Sequence, residues 1–150
     1  MASEKTGQCL CGEVRITLTN PPGELSVCHC GMCRRWTGSA FVTIDVAPRN
    51  IHIDGVASVK TYASSDWATR SFCGTCGTTL WYRLKDAPGH DDYYLAAGLL
   101  DDLSGEKLVR EIYIDSKPAA WAFEGPLEQM TEAELLASMG LSADPDPASP

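Results

Sequence analysis

Cys28-His29-Cys30-Gly31-Met32-Cys33 sets three thiols within six residues, and the chain repeats the theme on either side. Upstream stands Cys9-Leu10-Cys11-Gly12, and downstream stands Cys73-Gly74-Thr75-Cys76-Gly77. Thiolates one to three residues apart can converge on one ion, because a tight turn brings their sulfurs to the roughly 2.3 Å of a zinc–sulfur bond. A redox-active Cys-x-x-Cys is instead expected at the start of a helix inside a βαβ pattern, which the flanking residues do not display. Zinc is therefore the expected ligand, ahead of an iron–sulfur cluster.

The clusters take up all 7 cysteines, an odd number that cannot pair completely as disulfides. Four plus three is the simplest division. Four thiolates close a tetrahedral structural site, whereas three keep a position open for water or substrate. In Cys11-Gly12 and Cys76-Gly77 a glycine follows the sulfur, letting the backbone turn its amides toward it, while Cys33 runs into Arg34-Arg35. This favours Cys9, Cys11, Cys73 and Cys76 as the structural set and Cys28, Cys30 and Cys33 as the open one. The alternative joins the middle cluster to Cys73 or Cys76 and leaves the other thiols without a role.

A chain of 150 residues, 44% hydrophobic and 21% charged, suits one compact domain, expected over residues 1–142. Chains of this length hide about 68–70% of their unfolded surface, so metal is not needed for size alone. With 12 Lys and Arg against 20 Asp and Glu the net charge is −8, which argues against nucleic acid or an anionic membrane as partner. No apolar run reaches the roughly 18–20 residues of a membrane span, and Met1-Ala2-Ser3-Glu4-Lys5 lacks a secretory apolar core. A cytoplasmic location follows as the expectation, and there thiols stay reduced.

Outside the cysteines the chain reads as mainly β, built of short antiparallel strands. Alternation marks Val14–Leu18, and β-branched or aromatic enrichment marks Phe41–Ile44. Ile51–Ile53, Val59–Tyr62, Thr79–Tyr82, Tyr93–Ala97 and Glu111–Ile114 follow, separated by Pro21-Pro22-Gly23, Asp54-Gly55 and Pro88-Gly89. A short C-terminal helix is predicted from Thr131, an N-cap with Glu134 three residues on, toward Gly140. The acidic, Pro-rich tail over residues 143–150 is expected to be disordered.

His29 lies between two presumed ligands, but in an extended segment alternate side chains face opposite ways, which sends His29 away from the sulfurs of Cys28 and Cys30. His52, in Ile-His-Ile, is expected to face solvent, and His90 to sit in a loop. Trp36, Trp67, Trp81 and Trp121 read as packing residues. Asp101-Asp102 reads as a turn or as the partner of a basic group.

The motifs also have a family likeness. Gly7-Gln8-Cys9-Leu10-Cys11-Gly12-Glu13-Val14, the run from Cys28 through Arg34-Arg35-Trp36-Thr37-Gly38-Ser39-Ala40-Phe41, and Arg70-Ser71-Phe72-Cys73-Gly74-Thr75-Cys76-Gly77-Thr78-Thr79-Leu80 together resemble the glutathione-dependent formaldehyde-activating enzyme family, shared with the centromere protein V domain. The likeness extends through Gly98-Leu99-Leu100-Asp101-Asp102 and Ser116-Lys117 to Trp121, covering about residues 7–127. It implies a β-tent zinc-binding fold with two zinc ions, the outer clusters holding the structural one and the middle cluster the catalytic one. It also implies a carbon–sulfur lyase, an S-(hydroxymethyl)glutathione synthase joining glutathione to formaldehyde. The chain departs from the pattern at Glu124-Gly125-Pro126-Leu127-Glu128-Gln129-Met130, and Arg110-Glu111 replaces a commonly seen His.

On this reading Cys28, Cys30 and Cys33 hold the catalytic zinc, which takes an incoming thiol and presents it as thiolate to an aldehyde carbon. An anionic thiol such as glutathione needs local positive charge on an acidic protein, and Arg34, Arg35, Arg70 and Lys117 are the substrate-binding candidates. Arg34-Arg35 has a second reading, as balance for surface acids or thiolate charge. The partners expected are a small thiol and an aldehyde, with a homodimer allowed and neither nucleic acid nor membrane. The alternative classes are a zinc-stabilised binding module without catalysis and a metal- or redox-responsive thiol protein.

Overall fold

The computed structural model describes residues 3–141, so the expected disorder of 143–150 lies outside the described residues. The described residues are mainly β, with eleven strands and two short α-helices, one of them toward the C-terminal end. It divides into two compact units: one from the residues up to Glu24 with Thr43–Glu106, the other from Leu25–Val42 with the residues from Lys107 onward. None of its helices is long and apolar enough to cross a membrane, among the described residues.

The first unit opens with β1 (Glu4–Gln8) and β2 (Arg15–Thr19), an antiparallel hairpin in which Lys5 faces Leu18. β5 (Ile51–Asp54) pairs with the far side of β2, Ile53 opposite Ile16. A second sheet runs from β4 (Phe41–Val46) to β9 (Tyr93–Ala96), β8 (Thr79–Leu84), β7 (Ala68–Cys73) and β6 (Val59–Ala63), each pair antiparallel. The alternation read from the sequence is physical here: Ile16, Leu18, Ile44, Leu80 and Leu95 are at most 1% exposed. Each such side chain contributes about 1.5–3 kcal/mol by leaving water.

The second unit centres on β3 (Glu24–Cys28) and β10 (Lys107–Ile112), with β11 (Glu128–Met130) beyond β10. β10 and β11 run parallel, Ile112 opposite Met130, a departure from the antiparallel expectation. The physical reason lies in the connection, since parallel neighbours need a crossover of a dozen residues or more and residues 113–127 supply one. α1 (Gly31–Thr37) was not expected from the sequence. Its N-cap is Cys30, whose side chain accepts from the backbone N–H of Cys33, so a cysteine serves where Ser, Thr, Asp or Asn usually stands. Trp36 of α1 meets Phe41 edge-on at 5.3 Å. α2 (Glu132–Ser138) starts as read: Thr131 and Glu134 close a reciprocal capping box.

Candidate functional site

In the first unit, two turns bring four sulfurs together. Cys9, Cys11, Cys73 and Cys76 have Sγ atoms all within 4.8 Å of one another, with Cys9–Cys11 at 3.5 Å and Cys11–Cys73 at 3.8 Å. A tetrahedron of roughly 2.3 Å metal–sulfur bonds has edges of about 3.8 Å, so the spacing suits a zinc ion. Gly12 and Gly77, at φ of 79° and 78°, take the left-handed turn that closes each loop, as their sequence positions require. The N–H of Val14 donates to Cys9 Sγ at 3.4 Å. Thr78 joins the two loops, its hydroxyl accepting from the Leu10 N–H at 3.0 Å and lying 3.1 Å from Cys76 Sγ.

The electrostatics of this group are those of thiols competing for protons. The Thr78 hydroxyl, followed by its backbone N–H, draws the Cys76 thiol down to about 5. A backbone hydrogen bond at Glu13 draws the Cys11 thiol down too, yet desolvation and the three neighbouring cysteines outweigh it and lift Cys11 to about 12. A divalent cation removes this conflict by holding all four as thiolates, and the donor set fits one.

Three sulfurs meet in the second unit. Cys28 ends β3, Cys30 caps α1 and Cys33 lies in its first turn, and their Sγ atoms fall within 4.8 Å of one another. No fourth Cys, His, Asp or Glu atom joins the group among the described residues. The Cys30 and Cys33 side chains, then burial, push the Cys28 thiol well up. Three soft donors of this kind also fit zinc, with one tetrahedral position left to another ligand.

His29 takes the side opposite the sulfurs, as alternation demands. It is fully buried, its Nε2 lies 2.8 Å from Glu111 Oε1, and its ring packs near Trp121 and Phe123. Glu111, 1% exposed, also accepts from Lys117 Nζ at 2.8 Å and from Gln129 Nε2 at 2.9 Å. Burial acts against its ionised form, but these three partners outweigh it and hold the carboxyl near 2.

Of the four basic residues singled out in the sequence, Arg34 and Arg35 ride on the last turn of α1, the helix that carries Cys33. Lys117 belongs to the Glu111 network. Arg70 lies in the first unit, buried on β7, with its guanidinium 4.9 Å from the centre of the Tyr82 ring. His52 is exposed beside Asp54, and Trp81 is buried while Trp67 is largely open. Asp102 caps a turn at Ser104, and Asp101 accepts from Thr6.

Sequence reasoning missed Glu111, Gln129 and Tyr113. The break in family pattern at Arg110-Glu111 marked the place of the first. Tyr113 was read inside a strand ending at Ile114, but the strand stops at Ile112 and Tyr113 turns to a φ of 56°.

Residues 4–116 match the family model described as glutathione-dependent formaldehyde-activating enzyme. A Schizosaccharomyces pombe protein named as an uncharacterized lyase is 30% identical over 136 residues, 91% of this chain and 97% of that protein. A crystal structure of a Rhodobacter sphaeroides protein is also similar, with a TM-score of 0.53 and 25% identity, covering 64% of this chain and 87% of that one.

Proposed function

Because this chain belongs to the glutathione-dependent formaldehyde-activating enzyme family, we propose that it is a zinc-dependent carbon–sulfur lyase that joins a thiol such as glutathione to formaldehyde or a related small aldehyde. The observation that carries this reading is the contrast between the two cysteine groups, four sulfurs in one and three in the other. Cys9, Cys11, Cys73 and Cys76 would hold a structural zinc. Cys28, Cys30 and Cys33 would hold a second one, and its chemistry there is to lower the pKa of a thiol brought to it, since three thiolates leave the ion a weak acid toward carbonyls but a good partner for soft sulfur.

The remaining steps fall to the chain itself. The reaction forms one carbon–sulfur bond: the thiol proton leaves to solvent, the sulfur pair attacks the aldehyde carbon, and the carbonyl π pair moves to oxygen, which takes up a proton from water. Run backwards, the same steps are the lyase reaction. Arg34 and Arg35 supply positive charge on the helix that bears Cys33, suited to the carboxylates of an anionic thiol in a protein of net charge −8. Lys117 shares the proposed role by charge, though it already meets Glu111. A reducing cytoplasm suits a chain whose cysteines form no disulfide with one another among the described residues.

Cys30→Ser tests the proposal. Metal analysis should show one zinc lost per chain, and formaldehyde-dependent consumption of glutathione should fall to the spontaneous rate. Turnover that persists after that loss would overturn the assignment.

A further inference from the structure

His29 is a poor choice for packing alone. Its ring is wholly buried near Trp121 and Phe123, and its Nδ1 has no hydrogen-bond partner among the described residues. A buried polar atom left unpaired destabilises a fold, and so does the burial of a carboxylate such as that of Glu111. Apolar side chains of similar volume would fill the same space without either penalty. What the imidazole supplies instead is a fixed direction.

His29 is fastened twice to the end of β10. Its Nε2 lies 2.8 Å from Glu111 Oε1, and since an ionised carboxylate only accepts, Nε2 carries the hydrogen and donates it. Its backbone N–H donates to the Ile112 carbonyl at 3.1 Å. Two consecutive residues of one strand thus hold the side chain and the backbone of the residue that separates Cys28 from Cys30. Glu111 is held in turn by Lys117 Nζ at 2.8 Å and Gln129 Nε2 at 2.9 Å. The chain takes an unfavourable turn on its way from Glu111 to Lys117. Tyr113 has a φ of 56°, in the left-handed region that a β-carbon disfavours, and its carbonyl accepts from the Ser116 N–H at 3.0 Å. Backbone of this kind persists only where the surrounding structure holds it.

We infer that His29, locked by Glu111, is a positioning residue of the three-sulfur group: it fixes the Cys28–Cys30 segment so that both sulfurs stand ready for one ion before that ion arrives. The inference rests on the reading of Cys28, Cys30 and Cys33 as metal ligands proposed above. Three thiolates repel one another, and in a loose segment they would drift apart and have to be gathered again on binding. Anchoring residue 29 removes that freedom in advance. Cys33 has its own anchor in the first turn of α1, where its N–H donates to Cys30 Sγ at 3.3 Å.

His29→Leu removes the donor, whereas His29→Gln keeps an amide N–H able to meet Glu111. Zinc affinity is read by competition with a chromophoric chelator, and the binding step missing from Cys30→Ser identifies the three-cysteine group. In His29→Leu that step should weaken about tenfold, the usual effect of losing an outer partner of a metal site, while the step of the four-cysteine group is unmoved. His29→Gln should recover most of the loss. The visible bands of cobalt at the three-cysteine group should shift in His29→Leu and return in His29→Gln, a pattern that a merely structural role would not produce. Should His29→Leu fail to fold, Gln129→Leu carries the test, since it loosens Glu111 and leaves His29 in place. The same step should then weaken about threefold, the worth of one weak hydrogen bond. An unchanged step in the folded variant, or a loss that His29→Gln does not recover, overturns the positioning role alone. A parent that lacks this step altogether overturns the metal reading of the three cysteines, and the role falls with it.

Discussion

His29 Nε2 and Glu111 Oε1 lie 2.8 Å apart with both side chains sealed from solvent. The pair joins the segment between two sulfurs of the three-cysteine group to the C-terminal end of β10, and Lys117 completes its charge balance. A buried carboxylate is tolerable only because each of its partners is present.

Glu111→Gln should therefore destabilise the chain by on the order of 3 kcal/mol, since it leaves Lys117 without its counter-charge. The effect has a definite pH dependence. The carboxyl is held near 2 in the folded chain against an ordinary value of 4.5, so its contribution is complete above about 4.5 and is lost as pH falls toward 2. Urea midpoints of parent and variant, compared at each pH, should differ widely at pH 7 and converge in acid. A constant difference would mean that the carboxylate does not act through its charge.

Thr78 ties the two loops of the four-cysteine group together. Thr78→Val removes the hydroxyl that lies against Cys76 and accepts from Leu10. In metal-free protein the Cys76 thiol should rise from about 5 toward its ordinary value, seen as a later onset of alkylation with increasing pH. Zinc affinity at that group should drop about tenfold, as for other partners of metal ligands.

Loss of a metal from the four-cysteine group should be felt as stability. Cys73→Ser removes a fully buried sulfur from the four-cysteine group, and thermal unfolding should move down by far more than in Cys30→Ser. Equal shifts in the two variants would contradict the assignment of separate structural and functional ions.

Arg34 and Arg35 are expected to act on binding. Replacing both with alanine should raise the Michaelis constant for glutathione about tenfold and leave kcat nearly unchanged, because contacts to distant carboxylates are made equally before and during the reaction. Steady-state kinetics at low and moderate salt would show it. A fall in kcat alone would place these side chains elsewhere in the chemistry.

Much of this architecture was legible because hydrophobic alternation and turn residues report directly on strands. Phe41–Ile44, Tyr93–Ala97 and the Thr131 cap all have their counterparts in β4, β9 and α2. The two cysteine groups were legible for a related reason, as short spacing and following glycines are demands of the turn itself. β1 escaped notice because Glu-Lys-Thr-Gly-Gln carries little apolar signal and gains its place by pairing with β2. α1 escaped because its cap is a sulfur and its first residue a glycine. Glu111 escaped because its partners lie 6, 18 and 82 residues away, distances at which sequence spacing carries no geometric information.

The proposed chemistry requires that an ion bound by Cys28, Cys30 and Cys33 accept a thiol from outside the chain. Cobalt-substituted protein titrated with glutathione measures this directly, through the visible absorption of thiolate-bound cobalt. The expected result is a shift that saturates at one glutathione per chain and is absent from Cys30→Ser. A spectrum unmoved by saturating glutathione would contradict the account.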